Sequence, residues 1–333
     1  MSRRYNRRST RPIEDLPSLF GNAADSGDAP FSVTVGNTGT KNVRDDDLAM
    51  PDEFVRPRRR LRFMSFGSGS SGNCSYIGTG DCGLLIDAGV DNNFVTEKLL
   101  RSGIDISTVR GIILTHDHAD HVRFAYALLR RNRQMRLYAT PRTLEGLLRR
   151  HNISRRIKDY HAPIYKEHEY MFDDIRVTPF ETSHDGTDNV GFAITMGDTT
   201  FVVATDMGVI TERADHYLRT ADAMMIESNY DSLMLASGRY PEYLKNRIRS
   251  AIGHMDNAVT AAYLRDIHSD SLKYIFLCHL SHDNNTPETA LETVRTALLE
   301  RAIKTTDSPV DIADGCVFLT ALPRYEASDL YIL

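Results

Sequence analysis

None of the four cysteines in the 333-residue chain stands in a CxxC pair: Cys74, Cys82, Cys278 and Cys316 are scattered. That spacing excludes a disulfide framework and a zinc ribbon and leaves buried thiols in a reducing compartment. No apolar run approaches the roughly 18 to 20 residues that cross a bilayer, and the opening MSRRYNRRST lacks the apolar stretch of a secretory signal. The arginines of that opening have no amphipathic apolar face beside them, and Glu14 and Asp15 follow closely, which argues against an organellar transit peptide. The expectation is a soluble cytoplasmic protein that does not engage a membrane. Tryptophan is also missing, whereas there are 12 histidines, and histidine is the commonest metal ligand. Hydrophobic residues at 41% and charged residues at 26% support a sizeable core and exclude wholesale disorder.

Residues 1–60 lack a sustained helical or strand period, are rich in Arg, Asp, Gly, Pro, Ser and Thr, and end on Arg56-Pro57-Arg58-Arg59-Arg60. They read as a disordered or loosely docked extension, and residues 61–333 as one domain. LRFMSF alternates as a strand, and FGSGSSGNCSYI sets a Gly/Ser loop before a second one. GLLIDAG and GIILTH are buried strands flanking a short helix at 94–101, and helical spacing recurs at 121–131 and 141–151. Residues 162–206 are strand-rich, and ADAMMIES and LKYIFLCH are buried strands. Helices are expected at 241–252, 257–268 and 287–301, and a last strand near 316–320. Two runs of strands, each closed by helices, predict an α/β chain folded as a four-layer α/β/β/α sandwich.

The densest signal is Thr115-His116-Asp117-His118-Ala119-Asp120-His121, where the strand GIILT stops. Such a cluster cannot be core, because each imidazole and carboxylate would need a polar partner. A loop at a strand end points alternate side chains apart, so His116 and His118 would face one metal and Asp120 and His121 a second beside it. Other apolar runs also end on polar residues: IRVTPFETS on His184, TTFVVAT on Asp206, LKYIFLC on His279. His184 would complete the first site and His279 the second, with Asp206 bridging both. Asp87, ending GLLID, would hydrogen-bond a ligand histidine and hold its tautomer. Two divalent ions are thus expected; the ligand mix suits Zn²⁺ first, with Mn²⁺ or Fe²⁺ as alternatives. His282 competes with His279 as a ligand, but His279 directly follows the strand, so His282 and Asn284 are assigned to the substrate path. His151, His161, His168, His216 and His268 have no clustered partners and read as surface or satisfied core residues.

Two such ions acidify water and stabilise charge on the attacked centre, chemistry that hydrolyses esters, amides, thioesters and phosphodiesters alike. Residues 123–158 carry eleven Arg or Lys against one acid, Glu145, in a chain whose formal charge is −5. A positive stripe behind the metal loop would attract a polyanion, with nucleic acid as the expected partner. In the loop 67–73, Ser68, Ser70, Ser71 and Asn73 are candidate donors to phosphate oxygens, although a plain tight turn explains its glycines equally well.

The order Asp87, HxHxDH, His184, Asp206, His279 resembles the five motifs of the metallo-β-lactamase superfamily, over essentially all of residues 61–320. FGSGSSGNCSYI, LTHDHADH, ESNYD, YPEYLKNRIRSAIGHMDN and CHLSHDNN are similar to the YycJ/WalJ group of exonucleases; GHMDN departs from the GHLSN of that group but keeps its histidine. The resemblance implies the metallo-β-lactamase sandwich. His254 resembles the histidine opening an HST-type motif in tRNA-processing members, a general acid paired with a glutamate, and Glu227 is the matching carboxylate. Asp120, His254 and Glu227 are therefore the expected catalytic set. The span of 73 residues from Asp206 to His279 is too short for the domain inserted there in RNA-processing β-CASP members, which implies an open substrate path. The expected activity is a dinuclear-metal phosphodiesterase, a 5′ exonuclease on nucleic acid. The alternatives are a small-molecule metallo-hydrolase, either a cyclic-phosphate diesterase or a glyoxalase-type thioesterase, and a non-catalytic scaffold.

Overall fold

The computed structural model describes residues 59–333; the extension expected over residues 1–60 lies, but for its last two residues, outside them. Short strands come first. β1 (Arg62–Gly67), β2 (Cys74–Gly78) and β3 (Gly83–Ile86) form an antiparallel meander, and β4 (Val109–Ile113), β5 (Arg136–Ala139) and β6 (His161–Pro163) extend it in parallel. A second sheet repeats the plan. β7 (Tyr170–Phe172), β8 (Ile175–Glu181), β9 (Val190–Met196) and β10 (Thr199–Ala204) are antiparallel, after which β11 (Ala223–Glu227), β12 (Tyr274–Cys278), β13 (Thr305–Thr306) and β14 (Val317–Ala321) run parallel. The chain then crosses back, and β15 (Tyr331–Ile332) pairs antiparallel with β1.

Strand alternation explains the layers, since successive side chains leave opposite faces. Leu84 and Ile86 join Phe63, Phe192, Phe201, Val203, Met225 and Phe276 between the two sheets. Leu85 points the other way, into the core under the helices Asn92–Arg101, Ala125–Arg131 and Pro141–Arg150. On the second sheet Val202, Met224, Ile226, Ile275 and Leu277 pack under Glu212–Leu218, Asn257–Ile267 and Pro287–Leu299. Three apolar interfaces thus separate four layers, as the two runs of strands predict. Parallel neighbours need long crossovers, which these helices supply, capped by Asp91, Thr140, Asp256 and Thr286.

Two expected helices are shorter than the sequence suggests. The stretch 121–131 divides into Ala119–Val122 and Ala125–Arg131, because the Phe124 amide donates to Ala88 O (2.9 Å) instead of continuing the helix. The stretch expected over 241–252 is helical only at Glu242–Ile248 and then turns tightly at Ser250–Gly253, where a Cβ on Gly253 would lie 2.2 Å from Ile248 O. No helix of the described residues is long and apolar enough to cross a membrane.

Phe63 lies 4.8 Å, centroid to centroid, from both Phe201 and Phe276, and Phe276 lies 4.9 Å from Tyr331. This cluster bridges both sheets and the returning strand. Phe276→Ala should therefore cost about 3–5 kcal/mol, read as a lowered urea midpoint at unchanged slope.

Candidate metal centre

Parallel strands of both sheets end at one edge, and five of those ends deliver polar residues there. β3 runs into Asp87, β4 into Thr115 and His116, β10 into Asp206, β11 closes on Glu227, and β12 runs into His279. Asp87 (φ 61°), Asp206 (φ 53°) and His279 (φ 55°) adopt left-handed backbone, a region that Asp and His tolerate better than most residues. Each strand therefore stops abruptly and turns its next side chain toward the gap between the sheets. His184 follows β8 and approaches the same gap.

The ligand atoms fall into overlapping groups. His116, His118 and His184 converge within 4.8 Å of one another, as do Asp120, His121 and His279, and Asp206 joins His116 and His121. Asp206 Oδ2 is 3.2 Å from His121 Nε2, while its Oδ1 is 3.7 Å from His184 Nε2 and 3.4 Å from His279 Nδ1. All seven residues assigned to metals from the sequence are thus brought together, with Asp206 between the halves.

Every imidazole has one nitrogen tied and the other turned inward. His121 Nδ1 meets Asp87 Oδ2 at 2.7 Å, and Asp87 also accepts from the Thr115 amide (2.9 Å) and hydroxyl (2.8 Å). His184 Nδ1 is held by Gly253 O (2.9 Å), His116 Nδ1 by the Thr115 hydroxyl (3.0 Å), His118 Nε2 by Asp185 (3.2 Å), and His279 Nδ1 by Glu227 Oε1 (3.0 Å). The free nitrogens of His116 and His279, both Nε2, are buried without a hydrogen-bond partner. Such orphans are uncommon in a core, and here they face other donors that a cation would satisfy. A nitrogen and carboxylate set of this kind fits a divalent metal.

Electrostatics divides the cluster. Burial drives His116 well below the usual imidazole range and lowers His184, and burial with the facing His184 brings His118 to about 4. Burial acts the same way on His279 and His121, but carboxylates outweigh it. Asp206, Asp120 and Glu227 raise His279 to about 10, and Asp206, Asp87 and Asp120 raise His121 well above its usual range. Burial likewise opposes ionisation of Asp206, yet His279 and His121 hold it well below the usual carboxylate range.

His254 and Glu227 also meet: His254 Nδ1 is 2.7 Å from Glu227 Oε1, and its ring centre is 5.0 Å from that of His184 and 5.2 Å from that of His279. Glu227 is fully buried, and its Oε2 accepts from the Met207 amide (2.7 Å). One carboxylate oxygen therefore serves His254 and a ligand histidine together.

The residues assigned to the substrate path divide differently. Ser68 is buried, its hydroxyl accepting from the His279 amide (2.9 Å). Asn73 is buried too; its Nδ2 lies 2.9 Å from His121 Nε2 and 3.2 Å from Asp120 Oδ2, and its Oδ1 accepts from the Gly69 amide. Asn284 is fully buried against Ser281. Ser68 and Asn73 are thus bonded to residues of the ligand cluster, and Asn284 to the loop that follows His279. The loop after β3 packs backbone against backbone on 72–73 and 120–121, where a Cβ on Gly89 would sit 1.5 Å from Asp120 O. Ser71 Oγ is buried and unpartnered, whereas Ser70 and His282 are exposed.

Sequence reasoning missed four residues around the ligands. Asp185 reaches His118 and pairs with Arg247 (2.6 Å). Asp117, inside the histidine motif, accepts from the Thr187 amide and hydroxyl at 2.9 and 2.6 Å and so ties the metal loop to the second sheet. Asn229 donates to His279 O (2.6 Å), and Gly253 lends a carbonyl to His184. Asp117, Asp185 and Asn229 carried a signal, as polar residues inside or beside the motifs of His116, His184 and Glu227; Gly253 carried none.

A model of the beta-lactamase superfamily domain matches residues 83–279. Exodeoxyribonuclease YycJ of Bacillus anthracis is 34% identical over 241 residues, covering 72% of this chain and 90% of the relative. Exodeoxyribonuclease WalJ of Streptococcus pneumoniae is 31% identical over 230 residues, covering 69% and 85%. Among solved structures, the metallo-beta-lactamase fold protein YhfI from Bacillus subtilis aligns with a TM-score of 0.57 at 15% identity, covering 81% of this chain and 99% of that one, a likeness of fold alone. With the strand-end cluster of histidines and carboxylates, these matches place the chain in the metallo-β-lactamase superfamily, as a metal-dependent hydrolase.

Proposed function

We propose that this hydrolase is an exonuclease that cleaves phosphodiester bonds at the 5′ end of nucleic acid, using two divalent ions, zinc in the first place. His116, His118 and His184 would hold one ion, Asp120, His121 and His279 the other, and Asp206 both. When bound, the pair would acidify water and draw charge from the attacked phosphorus. The observation that carries the phosphodiester reading is the Glu227–His254 contact of 2.7 Å beside the ligand cluster. A departing alkoxide needs a proton; Glu227 fixes His254 Nδ1 and leaves Nε2 to deliver one. Asp120, the most exposed of the ligand carboxylates at 18%, orients the attacking water.

Nucleic acid as substrate is supported by the two relatives called exodeoxyribonucleases and by charge. All eleven basic residues of 123–158 are exposed. Arg149, Arg155 and Lys158 line a groove of about 590 Å³ floored by Leu144 and Leu148, and Arg150 reaches Asp117 of the metal loop at 3.5 Å. Phosphates attract such a face, with affinity that falls as salt rises.

End-labelled DNA and RNA oligonucleotides incubated with Mn²⁺- or Zn²⁺-loaded protein should lose nucleotides stepwise from the 5′ end; turnover of a thioester or lactone with every oligonucleotide intact would overturn the reading. His254→Ala should lower kcat by about 10²- to 10⁴-fold while the metal content, measured by elemental analysis, stays the same. If metal is lost instead, His254 is a ligand and not the proton donor.

Metal loading should be pH-dependent in one half only. His118 at about 4, with His116 and His184 also lowered by burial, puts the three-histidine half on the neutral side at pH 7–8, so protons compete little there. His279 at about 10 and the raised His121 hold protons that a cation must displace, so affinity in that half rises with pH across the same window. Calorimetry of metal binding to chelator-treated protein, in buffers of different ionisation enthalpy, should show proton release in the second binding event and little in the first.

A further inference from the structure

The segment returning from β14 to the first sheet sets a cation beside the metal centre that neither the ligand cluster nor the basic helices account for. Arg324 donates to Leu280 O and, at 3.4 Å, to Ser70 Oγ. Leu280 follows His279, and Ser70 belongs to the loop whose Asn73 touches His121, so the guanidinium borders two loops that carry the centre. The loop makes room for it: a Cβ on Gly69 would lie 2.7 Å from Arg324 Nη1. Arg324 is half-buried, yet among the described residues it forms no ion pair; the neighbouring Asp283 is bonded to His282 and Tyr240 instead. Next to it, Tyr325 is 66% exposed, its ring centre 5.8 Å from the guanidinium carbon.

We propose that Arg324, Ser70 and Tyr325 form a subsite for one nucleotide of the substrate strand, next to the bond that is cleaved. A half-buried guanidinium without a carboxylate is a receptor for phosphate oxygens, and the Ser70 hydroxyl adds a donor beside it. An exposed tyrosine backed by a cation is a platform on which any base stacks. The subsite rests on the nucleic-acid reading above and adds to it the place where the strand is gripped.

Steady-state kinetics of the metal-loaded full chain on a single-stranded oligonucleotide and on bis(p-nitrophenyl) phosphate, which has no flanking nucleotide, test this. In Arg324→Ala and Tyr325→Ala, KM for the oligonucleotide should rise roughly tenfold relative to that for the small diester, and Tyr325→Phe should restore it. The slope of log KM against log salt should be shallower by about 0.7 in Arg324→Ala, as expected for one lost phosphate contact on a single strand. Two results would remove the subsite and leave the nuclease reading intact: an unchanged oligonucleotide KM in both alanine variants, or equal losses on both substrates. Wild-type protein inactive on every oligonucleotide but active on the small diester would remove both.

Discussion

The whole site depends on tying one nitrogen of each buried imidazole so that only the other can turn inward. A buried donor or acceptor left unpaired costs roughly 1–3 kcal/mol, so five histidines crowded into one gap are tolerable only if most of their nitrogens are engaged. The ties come from separate parts of the chain: Asp87 and Thr115 in the first sheet, Gly253 and Asp185 in loops of the second, and Glu227 at the end of β11. No single loop preorganises the cluster. It exists because the two sheets stack on a shared apolar core, in which Phe63 of the first sheet packs on Phe201 and Phe276 of the second. Core packing and metal-site geometry are therefore one constraint.

The same ties divide the site electrically. One half gathers three imidazoles with burial dominating, which keeps them neutral and ready to donate lone pairs. The other gathers Asp120, Asp206, Asp87 and Glu227 around His121 and His279, whose protons balance those carboxylates. Buried carboxylates at this density demand positive charge nearby, and protons or cations can both supply it. Glu227 links this balance to catalysis, because its Oε1 contacts both His254 and His279. The proton donor and a metal ligand thus share one oxygen.

Much of this was legible in the sequence because it depends on local pattern. Alternating apolar runs gave the strands, polar residues at their ends gave the ligands, and the 115–121 motif announced itself. What depended on distant pairing was not legible. Ser68 and Asn284 look like surface donors by composition, yet folding buries them, one under His279 and the other against Ser281. The helix expected across 121–131 has the right periodicity, but a backbone bond from Phe124 to Ala88, 36 residues earlier in the chain, overrides it. The Gly253 carbonyl carries no side-chain signal at all, so its bond to His184 appears only once the turn after Glu242–Ile248 is formed.

The least legible element, the returning C-terminal segment, has the widest structural reach. Leu322 donates to Leu277 O in the second sheet, whereas Ser328 and Leu333 donate to Ser65 O and Leu61 O in the first. Twelve residues thereby tie the second sheet to the first and add β15 to β1. Such a crossing must pass the end of the sandwich where β1 gives way to the Gly/Ser loop, and Ser68 N–H donating to Pro323 O marks that passage. Arg324 and Tyr325 follow at once, so their position beside His279 and Ser70 is set by the closure of the sandwich. A chain that must close its two sheets here can place a cation and an aromatic ring at the edge of its metal centre without any further element.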